Sequence, residues 1–136
     1  MELKTTYQSH LEGVAEFVDK VQQSRIRKLA SNFKQHKKLF SMFHHKLKID
    51  ESSQRLLIGA EGFPDKIEAI LKSYGAPDKA FVLAAGVDAR DSEINLRDAL
   101  DKIVGMGDGA VISCAAGKLA FWESGDMNYR FILRAI

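Results

Sequence analysis

Three carboxylates and an arginine stand where an α/β chain can gather chemistry. Glu61 lies in Gly59-Ala60-Glu61-Gly62-Phe63, and Asp88, Arg90 and Asp91 lie in Gly86-Val87-Asp88-Ala89-Arg90-Asp91. Each stretch follows a short apolar run that reads as a strand, and open α/β sheets collect ligands beyond the C-terminal ends of parallel strands. Carboxylates gathered there could hold Mg²⁺, with Arg90 or Lys118 facing a phosphate. A small metal- or phosphate-dependent enzyme built on Glu61, Asp88, Arg90 and Asp91 is therefore one reading. Polar loops and acids that relieve helix N-termini use the same residue types, and they are the commoner occurrence.

A stronger signal is electrostatic. Between Lys20 and Ile49 the chain carries nine Lys and Arg, three of its four His, and no Asp or Glu. The other 106 positions hold 11 basic and 18 acidic residues, so a segment of net charge +9 is set against a remainder of −7. The total of +2 conceals this segregation, and local charge decides which partners are attracted. On a helix through this segment, Arg27, Lys34, Lys38, His45 and Lys48 follow steps of seven, four, seven and three and share a face. Such a row suits an anionic partner, either nucleic acid or an acidic protein surface, and it equally suits the solvated side of a packed helix. Recognition of particular bases has no support, because no helix-turn-helix, zinc-finger or RNP motif is present.

The remaining chemistry-bearing residues point to structure. His44 and His45 are adjacent, and this helix offers no carboxylate or thiol to complete a metal site. Gly105-Met106-Gly107-Asp108-Gly109 closes a helix and enters a strand, the reverse of a dinucleotide loop. Ala116-Gly117-Lys118-Leu119 lacks both the leading glycine and the following hydroxyl of a phosphate loop. Cys114 at a strand end reads as a small buried residue, since no histidine lies beyond position 45 to activate it. Phe121 and Trp122 fall on opposite faces of one strand, so at least one is expected in an interface or pocket.

The elements that must position these residues follow from periodicity. Leu11, Val14, Phe17, Val18 and Val21 form a helical stripe with Ser9 and Glu12 as a capping box. A second stripe runs through Ile26, Leu29, Phe33, His36, Phe40, Phe43 and Leu47, with a change of face near Gln22 to Ser24. Arg55 to Gly59 and Lys79 to Ala85 are apolar runs typical of strands covered on both sides. Between them Pro64, Asp65 and Glu68 open a helix that Gly75 stops. Asn95 caps the next helix, with Leu96, Ala99, Leu100, Ile103 and Val104 as its buried side. Strands at Ala110 to Cys114, Lys118 to Glu123 and Tyr129 to Ala135 complete the chain, joined by glycine turns.

The expected architecture is one domain over residues 1–136, α/β in class with α+β as the alternative. A helical segment over 1–50 precedes an α/β core over 54–136, ordered β-α-β-α-β-β-β. The sheet is expected to be mixed, with about three parallel and two antiparallel strands and helices on both faces. A single cysteine, no N-terminal apolar stretch, and no run near the ~20 residues that span a bilayer argue for a soluble, cytoplasmic protein without a membrane partner. The leading functional expectation is a non-enzymatic binding or regulatory module that needs no cofactor and uses the basic helix to engage an anionic partner. The alternatives are the carboxylate enzyme and a homodimer whose N-terminal helices pair along the phenylalanine-rich stripe.

Overall fold

The computed structural model describes residues 2–106, 109–125 and 129–135 and, within them, every side chain except those of residues 2–5 and 45. The helices are α1 (Glu2–Gly13), α2 (Lys20–Ala30), α3 (His36–His45), α4 (Pro64–Ser73), α5 (Ala89–Ser92) and α6 (Leu96–Ile103). The strands are β1 (Gln54–Leu56), β2 (Lys79–Leu83), β3 (Glu93–Asn95), β4 (Ala110–Ala115), β5 (Leu119–Glu123) and β6 (Arg130–Arg134). Short 3₁₀ turns occupy Val14–Phe17, Phe33–Gln35, Glu51–Ser53 and Gly59–Gly62.

All six strands form one sheet in the order β1-β6-β5-β4-β2-β3, and every neighbouring pair is antiparallel. This corrects the expected mixed sheet of about five strands. The reason is β3, a three-residue strand too short to show a period. It turns back along β2, with Lys79 opposite Asn95 and Phe81 opposite Glu93. Leu96 N–H then bonds the Asp78 carbonyl at 2.7 Å, so α6 starts at the end of the sheet where β2 began. The helix carries the chain back across, and β4 arrives antiparallel to β2. The place of β1 is not encoded in any local pattern. This strand pairs with β6 at the outer edge, so β6, β5 and β4 all lie between β1 and β2.

Side chains alternate across the sheet as a period of two requires. Phe81, Leu83, Val111, Ala120, Trp122 and Leu133 face the N-terminal layer of α1 to α3. Ala80, Val82, Ile112, Phe121 and Ile132 face α4 and α6. Both faces are therefore covered along β2, as its uninterrupted apolar run implied, but not along β1: the run from Arg55 to Gly59, expected to be covered on both sides, is an edge strand over Gln54–Leu56 with Leu56 and Ile58 exposed. Phe121 and Trp122 are both core residues, one in each layer, which corrects the expectation that one of them would line a pocket. Each large side chain so buried contributes roughly 1.5–3 kcal/mol. The α6 stripe of Leu96, Ala99, Leu100 and Ile103 is buried as its spacing predicts, and the Asn95 side chain accepts from the N–H groups of Arg97 and Asp98.

The N-terminal layer departs from a pair of long helices. Ser9 lies inside α1 and opens no helix; α1 ends at Gly13, where a Cβ would stand 2.4 Å from the Gly117 nitrogen in the β4–β5 turn. Val18 bridges to Ile49 in extended form, and Asp19 starts α2 by accepting from Gln22 N–H at 3.0 Å. Val21 consequently points outward and is 86% exposed. On the far side α3 is pinned to the sheet: the Trp122 indole N–H donates to the Phe43 carbonyl at 2.7 Å, and Ser124 Oγ donates to the His44 carbonyl at 2.9 Å.

One buried charge ties α6 to β5. Glu123 is 1% exposed and accepts from Arg130 Nε at 2.8 Å and from Gly105 N–H at 3.0 and 3.1 Å. Removing one partner of a buried pair strands the other, so Glu123→Ala is expected to destabilise the fold by roughly 3–5 kcal/mol, whereas Glu123→Leu combined with Arg130→Met is expected to lose less. Urea denaturation of the two variants checks the order.

Candidate binding groove at the N-terminal layer

The stripe from Ile26 to Leu47 does not form one helix. Asn32 adopts an extended conformation and its side chain accepts from Lys34 N–H at 3.0 Å, so the chain leaves α2 and restarts through a 3₁₀ turn before α3. The carbonyl freed at Ala30 is taken up by two side chains, Gln8 Nε2 at 2.6 Å and His36 Nε2 at 2.8 Å. A carbonyl can only accept, so His36 carries its proton on Nε2. The break splits the apolar stripe. Ile26, Leu29, Phe43 and Leu47 are buried in the protein's own core, whereas Phe33 is 84% exposed and His36 and Phe40 are half-buried. A continuous helical seam for a second copy is therefore absent among the described residues.

Phe33, His36 and Phe40 form a ladder of rings, with centroids 5.5 Å apart for the first pair and 6.2 Å for the second. This ladder makes one wall of an open groove of about 990 Å³. Tyr7 of α1 contributes to its lining, and residues 85–90 form the other wall. The lining is mostly apolar, and three cations join it: Lys34, Lys37 and Arg90. A concave apolar site with a few charged groups is the usual form of a ligand pocket, and this volume is at the large end of that range.

Asp88 also lines the groove, and its Oδ1 accepts the N–H groups of Arg90 and Asp91 at 3.0 and 3.2 Å. The Tyr7 hydroxyl is pushed up to about 12, first by burial and then by the negative charge of Asp88. It stays protonated at any physiological pH and serves as a hydrogen-bonding group, not a base.

The structure brings together residues that the sequence assigned to different sites. Lys34, from the basic row, meets Asp88 and Arg90, from the carboxylate set, in the one groove. Glu61 does not join them. It bonds Arg55 Nη2 at 2.7 Å and Ile58 N–H at 3.1 Å beside β1, four strand spacings from β2, or about 19 Å across the sheet. Asp91 is exposed outside the groove lining. The described residues contain no group of three or more His, Cys, Asp and Glu able to hold a metal ion. The parallel-strand edge on which the carboxylate set depended does not exist in this antiparallel sheet.

The basic row is likewise distributed. Arg27 is on α2 and paired with Glu16; Lys34 is in the 3₁₀ turn; Lys38 is on α3; Lys48 follows α3, where its N–H donates to Gln22 Oε1 at 2.8 Å. The His45 side chain lies outside the described residues. All nine Lys and Arg of 20–49 are exposed, and Arg27 alone among them makes an ion pair with a described residue. Sequence reasoning missed Tyr7, Phe33, Lys37 and Phe40 as groove residues. The polar Ser31-Asn32 pair, with asparagine a favoured N-cap, was the one local sign of the break that exposes them.

Two buried groups lie outside this groove lining. Cys114 is buried, and burial pushes its thiol up to about 12, which removes it as a nucleophile. His10, 7% exposed, stacks on Phe81 with centroids 4.2 Å apart and places Nδ1 2.5 Å from Ser113 Oγ. Burial lowers its pKa from 6.5 to about 4. The unfolded chain thus binds this proton more readily than the fold does, so the contribution is intact above pH 6.5 and is lost as pH falls toward 4. Relative to His10→Gln, which keeps a donor toward Ser113, the wild-type chain is expected to lose roughly 2–3 kcal/mol more stability between about pH 7 and pH 4.5, measured by chemical denaturation across that window. Comparison with family models, with curated proteins and with solved structures finds no match to this chain.

Proposed function

We propose that the protein is a non-enzymatic binding module whose N-terminal layer engages a polyanion. One observation carries this: eight exposed Lys and Arg side chains (Lys20, Arg25, Lys28, Lys34, Lys37, Lys38, Lys46 and Lys48) occupy a single layer and make no ion pair with a described residue. Outside that layer several cations do have acid partners, as in Lys72 with Asp78 and Arg97 with Glu68 and Asp101. Like charges that share a layer repel one another, and a string of phosphates or sulfates relieves that repulsion while releasing condensed counterions. A polymer matches eight dispersed cations better than a single small anion does. Nucleic acid is the polyanion we favour, and an acidic protein surface is the second candidate. The buried cysteine and the absence of any helix long and apolar enough to cross a membrane, among the described residues, are compatible with a cytoplasmic setting.

The expected result is that labelled oligonucleotides bind in fluorescence anisotropy and lose affinity roughly 50-fold between ~50 and ~200 mM salt, the response of about four neutralised phosphates. Combined Lys34→Gln, Lys38→Gln and Lys48→Gln substitutions should weaken binding and flatten the salt dependence without changing the melting temperature. Failure of every polyanion to bind at the lowest salt would overturn the proposal.

A further inference from the structure

The groove narrows the choice among polyanions. Resting on the polyanion reading above, we propose that the ligand is a single-stranded nucleic acid whose bases enter the groove between the Phe33–His36–Phe40 ladder and residues 85–90, with its phosphates on Lys34, Lys37 and Arg90.

A duplex keeps its bases stacked inside and presents only phosphate and groove edges, so it has no use for an apolar trough. A single strand has free π-faces, and an aromatic side chain offers each base a stacking surface whatever its sequence. Phe33 is placed for that role. It is 84% exposed, and the helix break at Asn32 holds it out from the core that buries Ile26, Leu29, Phe43 and Leu47 of its stripe. Its neighbours in the ladder are rings, not aliphatic side chains, and the ring centroids are 5.5 and 6.2 Å apart. A volume of about 990 Å³ exceeds the needs of one nucleobase and accommodates adjoining bases.

Charge complementarity is local to the trough. Lys34 and Lys37 come from the segment that bears the rings, and Arg90 comes from the 85–90 segment. A backbone lying along the groove is thus met by cations from two separate segments. Lys28 and Lys38, exposed on the same N-terminal layer, add to its positive field. Asp88 stands in the trough as the one carboxylate among the lining residues, and it is an acceptor suited to the exocyclic amino groups of bases. An apolar groove with cations alone would suit a fatty anion; rings, cations and an acceptor together suit nucleotides.

The test compares three probes at one salt concentration: a single-stranded homopolymer oligonucleotide, a duplex with the same number of phosphates, and heparin, which carries charge but no bases. The wild-type protein is expected to bind the single strand at least tenfold more tightly than the duplex. Phe33→Ala, at an exposed position, should lower single-strand affinity roughly 5- to 100-fold, the range for losing one base–aromatic stack, and leave heparin binding unchanged. Ala85→Trp, which fills the trough without altering charge, should do the same.

Equal affinity for single strand and duplex, or an undiminished single-strand affinity in Phe33→Ala, would overturn the groove assignment while the polyanion reading stands. Binding of heparin or an acidic peptide with no binding of either nucleic acid would overturn it in favour of a different anion. Absence of binding to all three probes would remove both proposals together.

Discussion

A sheet that is apolar on both faces cannot leave either face wet, and this constraint governs everything built around it. Four of the six strands, β2, β4, β5 and β6, lie inside the pair of helix layers by their side chains, from Ala80, Val82 and Ile112 on one side to Phe81, Val111 and Trp122 on the other. The helices that connect strands, α4 and α6, cover one face. Between strands only the single turn of α5 is left on the second face, where Ala89 packs, so the first fifty residues must cover it. Their apolar residues are consequently committed to the core, and the polar residues they carry are turned outward. The dense Lys and Arg of the second and third helices therefore form a surface as a consequence of packing.

The groove arises from the same commitment. A straight helix through Ile26 to Leu47 is about 33 Å long, and its stripe would run past the sheet it covers. The chain breaks at Ser31 to Gln35 and restarts, so that Leu39, Met42 and Phe43 reach the sheet while Phe33 is left outside. Breaking a helix leaves carbonyls without partners. Gln8 from α1 and His36 from α3 both donate to the Ala30 carbonyl, which joins three helices at one atom. Beside that junction the 85–90 loop rises from the end of β2, and the space between them is the trough. A helix break that packing demands has thus set an aromatic ring, two lysines and an arginine around a concavity.

Much of this was legible in the residues. The helix opened by Pro64, the helix capped by Asn95, the closing strands, and the covering of both sheet faces all follow from local capping chemistry and period. Strand order and direction were not. Glu93-Ile94-Asn95 is three residues long, too short to establish a period, and still reverses the chain, which changes a parallel crossover into an antiparallel one. The position of β1 beside β6 depends on partners more than seventy residues away, and no local pattern encodes that. The same limit applies to the candidate site. Charge segregation was visible as composition, but the meeting of Lys34 with Arg90 depends on two segments brought together by α1 and β2.

Electrostatics and packing here pull in different directions, and the structure resolves the tension unequally. Where charge meets the core it is matched: Glu123 has Arg130 and the Gly105 N–H, and His10 is held neutral. On the α4 and α6 side, Asp78, Glu68 and Asp101 find local cations in Lys72 and Arg97. Such exposed pairs contribute little to stability. The N-terminal layer has acids within reach in the same chain, as the contact of Glu16 with Arg27 demonstrates, but that contact is its single ion pair among the described residues. At the ~8 Å screening distance of physiological salt, neighbouring lysines on α3 still sense one another. The fold therefore carries a small, persistent repulsion that it could have removed by exchanging a few lysines for glutamates. A cationic surface next to a mostly apolar hollow combines the two features, charge attraction and burial of apolar area, from which a docking anion gains.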